Sequence, residues 1–311
     1  MINFFRNKPI ISVIVVIYNM RREAKRTLFS LSSQCQQDVK ESDYEVIVVE
    51  NGSSEPLTEE FVKSFGSNFR YYYIKNAPSS PAHAINFGAS KAKGRYLGIM
   101  IDGARMLTPG VIKYALQAFF LHENPLIATL NWHLGPDIQP RSTQKGYDQK
   151  EEDRLIETIK WPQNGYGLFN ISTLAGICHK GWFEQTLESN CFFIKRATFE
   201  DLAGFDERFD LPGGGVVNCD FYIRACELEN TRLFYILGEG SFHQVHEGTW
   251  TSADEATRKE YKEKGHSQYF KIRNKLLGIA NKKISYIGHM PVEALKFLNI
   301  SLTNTAKPQA L

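Results

Sequence analysis

Residues Ile10–Ile17 read IISVIVVI and are apolar and mostly β-branched. A strand that a parallel sheet covers on both faces has this composition, because neither face meets water. Tyr44–Val49 (YEVIVV) repeats the pattern, and Phe69–Ile74 and Tyr96–Ile101 are two further candidate strands. Strands that alternate with helices predict βαβ units and a mostly parallel sheet. The predicted helices of this half are Arg22–Gln36, Thr58–Phe65, Ala82–Lys93 and Pro109–His122.

Polar residues follow three of these strands at the point where each strand ends. They are Tyr18-Asn19, Glu50-Asn51-Gly52-Ser53 and Asp102-Gly103. In open α/β sheets, ligands bind beyond the carboxyl ends of the strands. The topology therefore predicts a ligand site where these three polar groups converge.

After residue 130 the alternation of strands and helices becomes irregular. Strands are predicted at Ser189–Ile194 and Leu233–Leu237, and a helix at Asp220–Leu228. The charged segment Ala253–Lys275 has a helical pattern, and no linker divides the chain. The sequence indicates no oligomeric state.

Composition excludes several classes of protein. The 311 residues are 42% hydrophobic and 23% charged, which is typical of a globular protein rather than a disordered one. A net charge of +3 does not favour nucleic acid as a partner. The longest apolar run is shorter than the ~20 residues of a membrane span, and the N-terminus lacks a signal-peptide pattern. Five scattered cysteines fit reduced thiols, so we expect a cytoplasmic protein, with peripheral contact at the inner face of a membrane left open.

Six short motifs, in this order and spacing, resemble the family 2 glycosyltransferases, which have the GT-A fold. They are Tyr18-Asn19, Glu50-Asn51-Gly52-Ser53, Asn86 with Gly88 to Tyr96, Asp102-Gly103-Ala104, Gly204-Phe205-Asp206-Glu207 and Asn218 to Arg224. The resemblance covers about residues 10–250. It implies an α/β fold with a Rossmann-like, mostly parallel central sheet flanked by helices. It also implies a GT-A domain over 1–250, with a nucleotide-sugar half (10–130) and an acceptor half (131–250), and a helical C-terminal extension over 251–311.

The resemblance further implies an inverting transfer of a sugar from a nucleotide diphosphate sugar, with a UDP-sugar expected first. The acceptor is a hydroxyl of a glycan or glycolipid, as in surface polysaccharide biosynthesis. The candidate donor-binding residues are Tyr18, Asn19, Glu50, Asn51, Asn86, Asp102, Gly103 and Arg105. The alternative for Glu50 and Asn51 is that they only shape a turn, and for Asn19 that it only satisfies backbone groups.

The family's DxD motif reads Asp102-Gly103-Ala104 here, so the second carboxylate is absent. Divalent cations prefer several oxygen ligands, and Mn²⁺ also accepts imidazole. We therefore expect Mn²⁺ or Mg²⁺ to be held by Asp102 with His246 or His243. Only one of the two histidines is expected to face the site unless the chain turns. The alternatives are that both bond loop backbone, and that Arg105 supplies positive charge to the diphosphate or is only a solvated loop charge.

The catalytic base of the family falls on Asn218, and an amide cannot serve as a general base. Asp220, two residues on, is the predicted substitute, and Glu188 is the second candidate. The alternative for Asp220 is that it caps the following helix. Trp132, Trp161, Tyr166 and Trp182 are candidate acceptor contacts, although core packing is the commoner role of such aromatics.

Two other classes of function compete with glycosyl transfer. A GT-A domain that has lost catalysis and serves as a scaffold would explain the missing DxD acid and Asn218. A nucleotidyltransferase or a Rossmann dehydrogenase is disfavoured, because no glycine-rich loop follows the first strand.

Overall fold

The computed structural model describes residues 8–246 and 253–305. Its single sheet contains β1 Ile11–Ile17, β2 Tyr44–Glu50, β3 Phe69–Tyr73, β4 Tyr96–Met100, β5 Arg105–Leu107, β6 Pro125–Leu134, β7 Ser172–Leu174, β8 Cys191–Lys195, β9 Arg232–His243 and β10 Ile284–Gly288. The helices are α1 Arg21–Leu31, α2 Glu59–Lys63, α3 Ala82–Lys91, α4 Val111–Leu121, α5 Gln139–Ser142, α6 Gln149–Thr158, α7 Arg196–Asp201, α8 Val217–Glu227, α9 Glu255–Arg273 and α10 Leu295–Thr305.

The sheet consists of two parallel blocks joined by one antiparallel strand. The strand order is β10-β9-β6-β8-β4-β1-β2-β3, with β5 paired to β9 and β7 paired to β6. Strands β1 to β4 run parallel, as predicted, but β8 is antiparallel to both β4 and β6. The prediction of an α/β fold with a mostly parallel sheet is confirmed, and the antiparallel strands β5, β7 and β8 are added to that sheet. The added strands pair with residues far away in sequence, which periodicity does not reveal.

Strands β1 and β2 lie at the centre of the first block, between β4 and β3, and every residue in them is buried. Helix α3 packs directly on β1 through Gly88. A Cβ at Gly88 would lie 2.6 Å from Ile14 Cγ2, so only glycine permits this separation. This close packing explains the glycine of the Asn86-x-Gly88 motif structurally.

The segment after residue 250 is more than a helical extension. It contains α9 and α10, but also β10, which pairs in parallel with β9 and forms an edge of the sheet. Residues 284–288 thus complete the central sheet, while the boundary at 250 stays a prediction. None of the helices within residues 8–246 and 253–305 has the length and apolarity of a membrane span.

Strand β9 is longer than the predicted Leu233–Leu237 and ends only at His243. Glycines and the buried Glu239 interrupt its apolar pattern, which hides the second half in the sequence. The extension matters for the site, because it carries His243 to the carboxyl end of the strand beside β5.

Candidate functional site

Two cavities adjoin at Asp102, beyond the carboxyl ends of β1, β2 and β4. The Tyr18 cavity, of about 410 Å³, lies between the ends of β1 and β2 and the loop 75–81. The histidine cavity, of about 560 Å³, lies on the other side of Asp102. Both are lined by Ile101, Asp102 and Gly213. The other polar residues lining the histidine cavity include Arg105, His133, Glu188, Asn218, His243, His246 and Arg258.

The Tyr18 cavity combines an aromatic ring with an amide. Tyr18 is 55% exposed, so one ring face is open to a ligand. Asn51 is buried, and its Nδ2 donates to the Pro78 carbonyl at 3.0 Å. Its Oδ1 accepts no hydrogen bond from the residues that the structure describes. A stacking surface beside an unused acceptor suits a planar base that carries an N–H group.

Two of the predicted donor residues shape the loop between β2 and α2. The Glu50 carboxylate is buried and accepts hydrogen bonds from the Ser53 hydroxyl and, at 3.0 Å, from the Leu57 amide. Burial raises the pKa of Glu50. Asn19 has a left-handed backbone (φ 51°), and its Oδ1 accepts from the Ser54 amide at 2.9 Å. The structure thus places the polar atoms of both side chains in turn formation, the alternative that the sequence left open.

Asn86 and Gly103 also lie in structural positions. The Asn86 amide donates to the Phe205 carbonyl at 2.8 Å, and its oxygen accepts from the Phe205 amide at 2.9 Å. Gly103 is buried against Ile17, and its carbonyl accepts from the Thr27 hydroxyl at 2.7 Å. Both motif residues therefore hold loops in place around the site.

Asp102 and Arg105 form an ion pair between the two cavities. Asp102 Oδ2 accepts from Arg105 Nε at 2.7 Å, and Oδ1 accepts from the Ala104 amide at 3.1 Å. Arg105 is only 7% exposed and lies on β5, in register with His243. It is therefore not a solvated loop charge, which corrects one alternative from the sequence.

Three histidines, including one that the sequence analysis did not single out, line the second cavity. His243 Nδ1 lies within hydrogen-bonding distance of Gln139 Oε1, and its Nε2 is 3.2 Å from His246 Nε2. His133 pairs with His243 across β6 and β9, which could be found only from the strand order. Both His243 and His246 line the cavity, as expected if the chain turns, because β9 ends at His243 and the chain then leaves the strand.

Burial and the nearby Arg105 guanidinium keep these imidazoles neutral. Together they lower the pKa of His133 to about 3 and hold the pKa of His243 well below its usual value. Burial also lowers the pKa of His246. At neutral pH, His133 and His243 therefore contribute hydrogen-bonding nitrogens and no charge.

The described residues do not fit the predicted Mn²⁺ or Mg²⁺. Across 8–246 and 253–305, no three His, Cys, Asp or Glu side chains are grouped so that they could hold a metal ion. His243 Nε2 is 3.9 Å from Asp102 Oδ1, and the other carboxylate oxygen is bonded to the cationic Arg105. A divalent cation at Asp102 would have to compete with that guanidinium.

The two candidate bases have very different surroundings. Asp220 on α8 is fully buried, and its two oxygens pair with Arg224 Nε at 2.9 Å and Arg273 Nε at 2.6 Å. It is absent from the lining of the histidine cavity, whereas Glu188 is part of that lining. Glu188 Oε2 accepts from Asn218 Nδ2 at 2.7 Å. The structure therefore brings Glu188 to the site and uses Asp220 to join α8 to α9.

The candidate acceptor aromatics divide in the same way. Trp132 and Trp182 are fully buried and pack together in the core, with ring centroids 5.6 Å apart. The Tyr166 hydroxyl donates to Glu239 at 2.7 Å, and Trp161 packs edge-on against Phe29. None of the four appears in the lining of the histidine cavity, although Trp161 lines a separate cavity beside α1.

The part of the chain that contains the parallel strands β1 to β4 is similar to a known protein family. The model described as glycosyl transferase family 2 matches residues 12–119. This stretch, about a third of the chain, is the part that is similar to glycosyltransferase family 2. This confirms the resemblance drawn from the motifs, and the matched range includes Tyr18, Asn51, Asp102 and Arg105.

The curated relatives of this chain are much longer proteins. A chondroitin synthase from Pasteurella multocida (strain Pm70) is 27% identical over 164 residues, which are 52% of this chain and 16% of that protein. An uncharacterized glycosyltransferase from Rickettsia bellii (strain RML369-C) is 29% identical over 117 residues, 38% of this chain and 16% of that protein. The chain thus spans only about a sixth of the length of these relatives.

Solved structures confirm the GT-A fold. S. aureus TarS 1–349 in complex with UDP aligns with a TM-score of 0.52 and 14% identity, over 85% of this chain and 72% of that one. The same protein in complex with UDP-GlcNAc aligns with a TM-score of 0.51 and 14% identity, over 84% and 72%. At this identity the likeness concerns the fold alone.

Proposed function

We propose that this chain is an inverting glycosyltransferase that moves a sugar from a UDP-sugar to a hydroxyl of a glycan or glycolipid acceptor. The observation that carries the proposal is the pair of adjoining cavities that share Asp102, on a family 2 domain. One cavity takes the nucleoside, and the other takes the sugar and the acceptor. The titles of the TarS complexes name UDP and UDP-GlcNAc, which supports UDP as the first donor nucleotide to test.

The Tyr18 cavity supplies the contacts that a uridine needs. The open ring face of Tyr18 stacks on the base, and the unused Oδ1 of Asn51 accepts from the uracil N3–H. Asp102, at the junction, accepts from a ribose hydroxyl. In this arrangement the diphosphate enters the histidine cavity beside Arg105.

Glu188 is the proposed general base. Asn218 donates to Oε2, while Oε1 accepts no hydrogen bond from residues 8–246 or 253–305. This free oxygen takes the proton of the acceptor hydroxyl as the hydroxyl oxygen attacks the anomeric carbon. The new C–O bond forms as the bond to UDP breaks, and the electron pair leaves with the diphosphate. Attack from the face opposite UDP inverts the anomeric configuration.

The acceptor and the cellular location that the sequence predicts are also proposals. Polysaccharide synthases among the relatives support a glycan acceptor. Activity at the cytoplasmic face of a membrane, where the acceptor could be a glycolipid, stays a prediction.

A non-catalytic GT-A scaffold is the second candidate function. It is favoured by Asn218 standing where the family has its base and by the missing second DxD acid. A scaffold needs no reactive carboxylate. The Asn218 amide nevertheless holds Glu188 at the cavity, which favours the enzyme over the scaffold.

The test is release of UDP from a panel of UDP-sugars, with and without mixed glycan acceptors. The parent should release UDP from at least one donor, and Asp102→Asn should release at least tenfold less. Arg154→Gln, a change on the exposed face of α6, is the matched control and should match the parent. If the chain binds UDP but releases none from any UDP-sugar of the panel, the scaffold is favoured.

A further inference from the structure

Arg105 is a buried cation whose side chain and backbone are both held in place. Its side chain is buried, its Nε is bonded to Asp102, and strand pairing with β9 holds its backbone. Its terminal nitrogen NH1 donates to no group within residues 8–246 and 253–305. Buried polar groups are normally satisfied, so an unpaired guanidinium N–H indicates a missing partner such as a ligand or water.

Two further arginines line the same cavity. Arg141 extends from α5 and is 68% exposed, with Asp137 as a loose partner at 3.7 Å. Arg258 extends from α9, and its Nη1 donates to the Ala253 carbonyl. Against these three cations the lining contains two carboxylates, Asp102 and Glu188. The lining thus has one more cationic than anionic side chain, which favours an anion as its ligand.

We infer that Arg105 takes over the role of the divalent cation, so that this chain binds the donor diphosphate and transfers the sugar without a metal ion. The inference rests on the proposed function. A planar guanidinium forms two parallel hydrogen bonds to phosphate oxygens and keeps its charge at every accessible pH. Ala104 stands where the family motif has its second acid, and Arg105 follows directly.

The position of Arg105 suits the charge that develops during transfer. As the bond between the anomeric carbon and UDP breaks, negative charge accumulates on the diphosphate. A cation that is already fixed in a site shielded from water stabilises this charge without reorganisation. The neighbouring His133 and His243 line the same cavity and offer ring nitrogens for hydrogen bonds.

The experiment is calorimetric titration of UDP into the full chain, first in EDTA and then in saturating Mn²⁺ or Mg²⁺. The expected dissociation constants agree within about twofold. Arg105→Gln should weaken UDP binding in EDTA by tenfold or more, while Arg154→Gln should not change it. Circular dichroism and the melting temperature check that each variant is folded.

A second measurement needs no variant. Electron paramagnetic resonance of Mn²⁺ titrated into the parent with saturating UDP should show only the nucleotide-free or UDP-bound ion in solution. Stoichiometric Mn²⁺ on the protein, or UDP binding at least tenfold tighter with metal, would overturn the inference and leave the proposed function standing. Absence of UDP binding in both conditions would overturn the proposed function and the inference with it.

Discussion

The side-chain amide of Asn218 donates a hydrogen bond of 2.7 Å to Oε2 of Glu188. The same nitrogen lies 3.0 Å from the Ser189 carbonyl and 3.1 Å from Asn190 Oδ1, so the amide is held in one orientation. The acid that the family motif leads us to expect on α8 is an amide here. An acid stands instead on the segment before β8, directly opposite that amide. The pair thus keeps one carboxylate at the cavity.

Replacing Glu188 by Gln should abolish proton acceptance and preserve the shape of the cavity. We expect turnover to fall about 10²- to 10⁴-fold, the usual contribution of a general base. The dissociation constant of UDP should change less than threefold, because Glu188 does not contact the nucleotide. Glu184→Gln, four residues earlier on the same segment, is the control. Equal losses in turnover and in UDP affinity would argue against a base.

Asn218→Asp places a second carboxylate beside Glu188. Two carboxylates at hydrogen-bonding distance do not both ionise readily, so the pair should hold one proton to a higher pH. The acidic limb of the pH–rate profile should therefore move to higher pH by about one unit or more. If Glu188 is not the base, the profile of the variant will keep the position of the parent's.

Asp220→Asn tests the structural assignment of the other candidate. It leaves the guanidinium groups of Arg224 and Arg273, which are 18% and 17% exposed, without their buried partner. Breaking a buried ion pair in this way costs about 3–5 kcal/mol of unfolding free energy. Urea unfolding should show this loss, while the exposed change Asp201→Asn should cost little. Unchanged stability with lost turnover would return Asp220 to the catalytic role.

Glu239 should make stability depend on pH. It is buried on β9, accepts from the Gly110 amide at 2.9 Å and from the Tyr166 hydroxyl at 2.7 Å, and burial raises its pKa to about 7. Its stabilising contribution is complete below the unfolded pKa of 4.5 and is lost as the pH rises through the folded value.

The free energy of unfolding of the parent, relative to Glu239→Gln, should therefore fall between pH 5 and pH 7. The expected slope is roughly 1.4 kcal/mol per pH unit for one such carboxyl. Urea unfolding at several pH values measures it, and Glu229→Gln on the surface controls for the loss of a charge. A difference that does not vary with pH would show that Glu239 is ionised in the folded protein.

The parallel block and the place of the site could be predicted from sequence because both depend on local patterns. The buried runs of β1 and β2 and the polar residues after them point to the edge where Tyr18, Asn51 and Asp102 meet. The antiparallel β8 and the late strand β10 could not be predicted, since their partners are distant in the chain.

The same limit applies to individual site residues. His133 lies at the site because β6 pairs with β9. Asp220 lies away from the site because it is bonded to Arg273, which α9 carries. The position of Glu188 at the cavity likewise depends on the packing of α8 against the segment before β8. No spacing along the chain shows these tertiary contacts.

The most direct test of the account is a crystal structure of the chain with UDP bound in EDTA. The account predicts the uracil ring against Tyr18 with its N3–H on Asn51, and the diphosphate within hydrogen-bonding distance of the Arg105 guanidinium. A nucleotide bound away from Asp102, or one bound there only through a metal ion, would contradict it.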